Sequence, residues 1–230
     1  MTENETTHCW VQQEIISREA SIHDVEAIAA LHAESWRRHY RGAFLDSFLD
    51  GDVFADRLAV WGARLTAPSA DHFTIVAHQS DAVVGFAHMI LDEDPDFGTP
   101  LDNLHVTHQL KRQGIGRRLL VEAARELIRR CPTDRRFYLW VLTQNTAAQA
   151  FYATCGDTRV ETTLSGPFPG GGERAQPPNS LAQCCGAPVH ANVAVGREWA
   201  VRRPDQRGCP RTLFLARSLV VQFVGLRRGN

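Results

Sequence analysis

Lys111-Arg112-Gln113-Gly114-Ile115-Gly116-Arg117-Arg118 gathers four basic side chains and two glycines within eight residues. An apolar stretch, Leu104-His105-Val106, precedes it. The sequence that follows carries Leu119, Leu120, Ala123, Ala124, Leu127 and Ile128 at helical spacing. The first turn of a helix leaves backbone N–H groups unpaired and carries the positive end of the macrodipole. Glycines there let an oxyanion approach the donors directly. The segment therefore reads as a pyrophosphate cradle between a strand and a helix. It is not a P-loop, because no Gly-Lys-Ser/Thr follows a four-residue gap. It also lacks the third glycine of a dinucleotide fingerprint.

The elements that would position this loop follow from periodicity. Residues 136–143 are rich in aromatic and β-branched types and read as a buried strand. Asn145 is placed to cap a helix carrying Ala148, Phe151 and Tyr152 and ending at Gly156. Near the N-terminus, residues 16–20 read as a strand, and Ser21-x-x-Asp24 as a capping box. The next helix aligns Val25, Ile28, Ala29 and His32. Residues 43–49 and 53–65 look helical, with Leu58, Trp61 and Leu65 facing a core. Residues 73–77 and 83–91 alternate as a hairpin across Gln79-Ser80-Asp81. Strands over 101–107 and 158–163 complete the order β-α-α-β-β-β-α-β-α-β. The fold expected is α/β (α+β), a mixed, mostly antiparallel sheet with helices on both faces.

Three blocks, in order and at matching distances, resemble the GCN5-related N-acetyltransferases (GNAT). They are the strand–Ala-Ile-Ala-x-Leu-His–Ser-Trp-x-x-x-Tyr-x-Gly opening, the Leu-x-Val strand with its Gly-x-Gly loop, and the Asn-x-x-Ala-x-x-Phe-Tyr block. The resemblance spans residues 14–172. It implies acetyl-CoA as co-substrate, bound by Leu104, His105, Val106, Lys111, Arg112, Gln113, Gly114, Ile115, Gly116, Arg117 and Asn145. Backbone of residues 104–106 would pair with the pantetheine amides and polarise the thioester carbonyl. Tyr152 falls where the family's phenol protonates the departing thiolate; a packing role for it stays open. Asn145 is read first as a helix cap, with cofactor contact in addition. The implied reaction is direct attack by a primary amine of a small molecule or peptide. A non-catalytic acyl-CoA-binding module or an inactive homologue is the alternative.

The general base is not legible. His105, Glu34, Glu93 and Asp102 are candidates by type and place, and His105 should face away from Leu104 and Val106. No metal site is expected, since the adjacent Cys184 and Cys185 with His190 make a poor chelating set.

Composition bounds the remainder. The chain has 230 residues, 43% of them hydrophobic, and net charge −1. No apolar run is long enough to span a bilayer, the N-terminus lacks a signal-peptide core, and the six cysteines form no Cys-x-x-Cys pair. A cytoplasmic protein with reduced thiols is expected, with a homodimer left open. Residues 174–230 hold nine arginines against two acids, a net +7, while residues 1–173 carry −8. The arginines show no nucleic-acid reading motif, so no such partner is expected. Residues 1–13 are expected to be a flexible N-terminus and 14–172 the acetyltransferase domain. Residues 173–230 are expected to be an atypical tail, loosely packed or translated out of frame.

Overall fold

A computed structural model of the chain describes residues 14–67, 69–91, 93–164 and 179–185. The expected flexible N-terminus, residues 165–172 and most of the expected tail lie outside these residues. A seven-stranded sheet runs in the order β1-β2-β3-β4-β5-β7-β6. Its strands are β1 (Ile15–Glu19), β2 (His72–Gln79), β3 (Ala82–Ile90), β4 (Thr99–Val106), β5 (Phe137–Leu142), β6 (Thr158–Leu164) and β7 (Asn179–Cys185). Only β4 and β5 pair in parallel; every other neighbouring pair is antiparallel. Helices α1 (Val25–His39), α2 (Asp46–Asp50), α3 (Val53–Thr66), α4 (Ile115–Arg130) and α5 (Thr146–Thr154) complete the architecture. No helix among the described residues is long and apolar enough to cross a membrane.

Two apolar layers sandwich the sheet. Leu119, Leu120, Ala123, Ala124 and Leu127 of α4 pack on Phe73, Ile75, Ala77, Ala87, Met89 and Leu139. On the other face, Ile28, Ala29 and Leu31 of α1 and Trp61 of α3 cover Val76 and Phe86. Burial on both faces explains why β2 and β3 are inaccessible along most of their length, rather than alternately buried and exposed as their sequence suggested.

Helix α3 corrects another expectation. Its inward positions are Val53, Arg57 and Trp61, spaced four apart, while Leu58 is 36% exposed. Arg57 turns inward because its guanidinium stacks over the Trp36 ring at 4.1 Å and pairs with Asp56 at 2.5 Å. The capping box before α1 forms as expected. Burial alone would raise the Asp24 pKa, but hydrogen bonds from Arg18 and Ser21 outweigh it and hold the carboxyl at about 2.

One segment of the expected tail lies within the described residues. Residues 179–185 are β7 and fill the position between β5 and β6, with Phe137 opposite Cys185 and Leu142 opposite Ser180. The Pro-rich approach gave no periodic signal of this strand, because its pairing is entirely long-range.

Where β4 begins, Gly98 (φ +86°) brings the chain so close to β5 that an added Cβ would lie 2.6 Å from the Arg136 carbonyl oxygen. Gly98→Ala therefore combines a left-handed backbone with a backbone clash. It should cost about 1–3 kcal/mol, read as a lower urea midpoint with unchanged slope.

Candidate functional site: the β4–β5 opening and the α4 N-terminus

The sheet opens where β4 and β5 part. Their parallel register covers only Thr99 with Phe137 and Pro100 with Tyr138. Immediately afterwards β4 bulges: His88 of β3 faces Asn103, but Met89 faces Leu101, leaving Asp102 as the extra residue. A bulge bends and twists its strand, here at the point where β4 leaves β5. The bulge also sets Asp102 and Asn103 both toward α1 and α3, while Leu104 and Val106 pack with the α4 layer.

Beyond the bulge one edge of β4 stays open. The Thr107 N–H donates to the Val84 carbonyl (2.8 Å), so the ladder to β3 uses the backbone of alternate residues 103, 105 and 107. The N–H and C=O groups of Leu104 and Val106 therefore face the opening. Among the described residues no strand pairs with them.

The Gly-x-Gly loop closes one end of this opening. Gly114 is the N-cap of α4 in the left-handed conformation (φ 82°), and Arg112 also has positive φ (66°). Arg118 N–H makes the first intrahelical bond, to the Gly114 carbonyl at 3.0 Å. The amides of Ile115, Gly116 and Arg117 precede it and point outward along the axis. Ile115 is buried and anchors the helix start, while Lys111, Arg112, Gln113, Gly114, Arg117 and Arg118 remain exposed. A Cβ at Gly116 would meet the Phe151 ring at 3.4 Å, an ordinary contact distance, so packing does not require the glycine and its open amide is the distinguishing feature. Lys111 is not a free mobile charge: its Nζ donates to His39 Nε2 at 2.8 Å, tying the loop to the end of α1. Burial and the nearby Arg38 lower the Lys111 pKa.

His105 points away from Leu104 and Val106, as alternation required, and reaches toward α1. Its Nδ1 lies 2.8 Å from Ser35 Oγ and its Nε2 3.3 Å from Asn103 Oδ1. The ring stacks obliquely on His32 at 4.7 Å. Burial, then the positive field of His39, Lys111 and Arg57, pushes its pKa down to about 3. The imidazole is therefore neutral at physiological pH. His32, fully buried, accepts from Trp61 Nε1 through Nδ1 (3.0 Å) and is likewise held neutral by burial.

The other candidates separate clearly. Asp102 is engaged by Arg64 at 3.1 Å in a buried ion pair. Glu34 pairs with Arg38 at 2.9 Å and, with Ser35, Val106, Thr107 and Lys111, lines a shallow cleft beside β4. Glu93 belongs to the β3–β4 connection, at the end of β4 away from the cradle. Tyr152, 7% exposed, lies in the core layer that holds Ile115 and Leu119, its ring 5.1 Å from that of Phe151. Asn145 is the N-cap of α5, its Oδ1 accepting from the Ala148 N–H at 3.2 Å. Sequence reasoning missed Ser35, Asn103 and Arg64. One signal was present, the consecutive polar pair Asp102-Asn103 within an apolar strand, which marks a bulge.

The described residues thus form a mixed sheet with a parallel pair splayed at its centre and a glycine-capped helix N-terminus at the splay. The match of residues 28–157 to the model of the Acetyltransferase (GNAT) family makes the assignment, and the chain belongs to that family. It is 27% identical over 145 residues to the uncharacterized N-acetyltransferase YuaI of Bacillus subtilis, covering 62% of this chain and 80% of that protein. Among solved structures it is similar to the PaiA N-acetyltransferase of Thermoplasma acidophilum in complex with coenzyme A. There the TM-score is 0.54 and the identity 19%, over 74% of this chain and 98% of that one. It is also similar to YncA of Salmonella typhimurium with its cofactor acetyl-CoA, at TM-score 0.55 and 20% identity over 77% and 96% of the two chains.

Asn145→Ala removes this cap and should cost about 1 kcal/mol of stability. Denaturant titration would show the loss, while calorimetric affinity for coenzyme A stays within about twofold, less than about 0.5 kcal/mol.

Proposed function

We propose that the chain is an acetyl-CoA-dependent N-acetyltransferase that acts on a primary amine of a small molecule or peptide. One observation carries this reading: the open edge of β4 and the outward amides of α4 meet at the same opening. An extended amide chain suits the first, and a pyrophosphate suits the second. Both features belong to one molecule in coenzyme A. That PaiA and YncA were crystallised with coenzyme A and acetyl-CoA supports the co-substrate.

In this reading the pyrophosphate lies over the amides of Gly114, Ile115, Gly116 and Arg117. Lys111, Arg112 and the side chains of Gln113 and Arg117 surround it. The pantetheine amides pair with the free backbone of Leu104 and Val106, and an N–H of that edge polarises the thioester carbonyl. His105, between them, contributes through its place on the strand and its face toward α1. The neutral amine attacks the carbonyl carbon, the tetrahedral centre collapses, and the C–S bond breaks. Tyr152 O–H gives its proton to the thiolate and is restored from solvent. The attacking nitrogen loses its proton to water at the Ser35 and Glu34 cleft.

Gly116→Asp places a carboxylate where phosphate is to lie. Each lost charge-assisted contact is worth roughly 1.5–3 kcal/mol, so calorimetry should show at least a tenfold loss of coenzyme A affinity. Unchanged binding by a folded variant would overturn the cradle. For the chemistry, Tyr152→Phe keeps the ring and removes only the hydroxyl. Thiol release from acetyl-CoA across an amine panel should slow about 10²–10⁴-fold with coenzyme A affinity nearly constant. Full activity would return Tyr152 to packing alone.

A further inference from the structure

We propose that Arg64, on α3 and outside the cofactor opening, is a positioning residue for acetyl transfer. It locks the Asp102 bulge that parts β4 from β5 and, through Asp102 and Asn103, fixes the orientation and tautomer of His105. The inference rests on the acetyltransferase reading for its catalytic consequence, but its structural half stands independently.

The chain of contacts is continuous. Arg64 leans over the Trp61 ring at 5.1 Å and reaches Asp102 Oδ2 through Nη2 at 3.1 Å. Both side chains are largely shielded, at 13% and 7% exposure. The same Oδ2 accepts from Asn103 Nδ2 at 2.6 Å. An ionised carboxylate only accepts hydrogen bonds, so this contact fixes which end of the Asn103 amide is the NH₂. Its Oδ1 is thereby turned to His105 Nε2, and an amide oxygen also only accepts. His105 must carry its proton on Nε2, leaving Nδ1 as a bare acceptor for the Ser35 hydroxyl. Asp102, held in place by Arg64, thus sets a hydrogen-bond polarity that runs along the α1-facing side of β4 to the cleft where the amine is to react.

The charge at the start of this chain matters as much as its geometry. With Arg64 present, the Asp102 charge is compensated inside the fold. Without it, the largely buried Asp102 carboxylate would lose its ion-pair partner beside Asn103, close to His105, with Arg57 still in its neighbourhood, and breaking a buried ion pair by removing one partner is strongly unfavourable. Either the bulge would turn Asp102 toward water, moving the backbone of residues 103–106, or the network would take up a proton. His105 is met by His32, Ser35 and His39 from α1, Arg57 from α3, Phe86 from β3 and Lys111 from the loop before α4. None of these groups is a carboxylate. Asp102 is the acid nearest to it along the chain of hydrogen bonds, so losing its counter-ion is the change that His105 would register.

The test compares full-length protein, Arg64→Gln, Arg64→Lys and the double variant Arg64→Gln/Asp102→Asn, each checked for folding by circular dichroism. Histidines labelled with ¹⁵N, assigned with His105→Gln, report the tautomer directly. The unaltered protein should show His105 as the neutral Nε2–H form near pH 7. Arg64→Gln should give the other tautomer, a mixture or the imidazolium, and Arg64→Lys should restore the original signal in part. If Arg64→Gln does not fold, the double variant, which removes the carboxylate together with its ion-pair partner, carries the comparison. An amide in place of the Asp102 carboxylate both donates and accepts, so it no longer dictates the Asn103 orientation, and a mixture of tautomers is expected there too. Acetyl transfer by whichever variant folds should fall about 10²-fold, as for a misplacement of order 1 Å at a reacting strand. An unchanged His105 signal in folded Arg64→Gln or in the double variant would overturn the lock, as would unchanged turnover. Failure of the unaltered protein to bind coenzyme A would instead refute the acetyltransferase reading, and the tautomer result would still decide the structural half.

Discussion

Two parallel strands that stay together for two residues and then part create the opening on which the candidate site depends. Inside a sheet, an unpaired strand edge is normally a liability, because its N–H and C=O groups seek partners. Here the divergence is enforced from both ends. Gly98 permits a close approach to Arg136 that anchors β4 against β5. The bulge at Asp102 then turns β4 away within three residues. The free amides of residues 104 and 106 are the direct product of that geometry, and the glycine-capped start of α4 stands at their end. Neither feature alone defines a ligand. Under the proposed function, their convergence is what suits an elongated molecule with amides at one end and phosphates at the other.

The interior between the sheet and helices α1 and α3 is unusually polar for a core. It holds His32, His88, Arg57, Thr74 and Asn103 in full or near-full burial, with Arg64 and Asp102 close to it. This layer is tolerated because the histidines are neutral and the arginines have aromatic and carboxylate neighbours. Trp61 donates to His32, Thr74 Oγ1 meets His88 Nδ1 at 2.8 Å, and Arg57 and Arg64 lie over Trp36 and Trp61. Burial lowers the pKa of all three imidazoles, His32, His88 and His105, so protonating this layer below neutrality would charge groups that have no room for hydration. The α4 layer on the opposite face is almost wholly apolar. The two faces of one sheet thus serve different ends: one supplies cohesion, the other holds directional polar contacts next to β4.

The loop that the sequence marks most strongly is also less free than its composition suggests. Lys111 is engaged by His39, and Gln144 at the end of β5 donates to the carbonyls of His39 and Arg41 at 3.3 and 3.2 Å. The C-terminal end of α1 therefore touches both lips of the opening.

The sequence by itself determined the helices and most strands, because their apolar periodicity and caps are local. Helix α4 lies over the expected residues, Asn145 caps α5, and the capping box precedes α1. It also determined the turn into α4, since two glycines after a strand and before an amphipathic helix leave few other conformations. Tertiary structure alone decided which residues share a space. Arg57 rather than Leu58 turns inward because Trp36, on the preceding long helix, offers an aromatic face. The chain from Arg64 through Asp102 and Asn103 to His105 and Ser35 joins α3, β4 and α1, and no local pattern encodes it. Strand β7 enters the sheet through pairing with β5 and β6 rather than through any periodicity of its own. Local propensity is a property of neighbours in the chain, whereas hydrogen-bond polarity and burial of charge depend on groups brought together from distant parts of it.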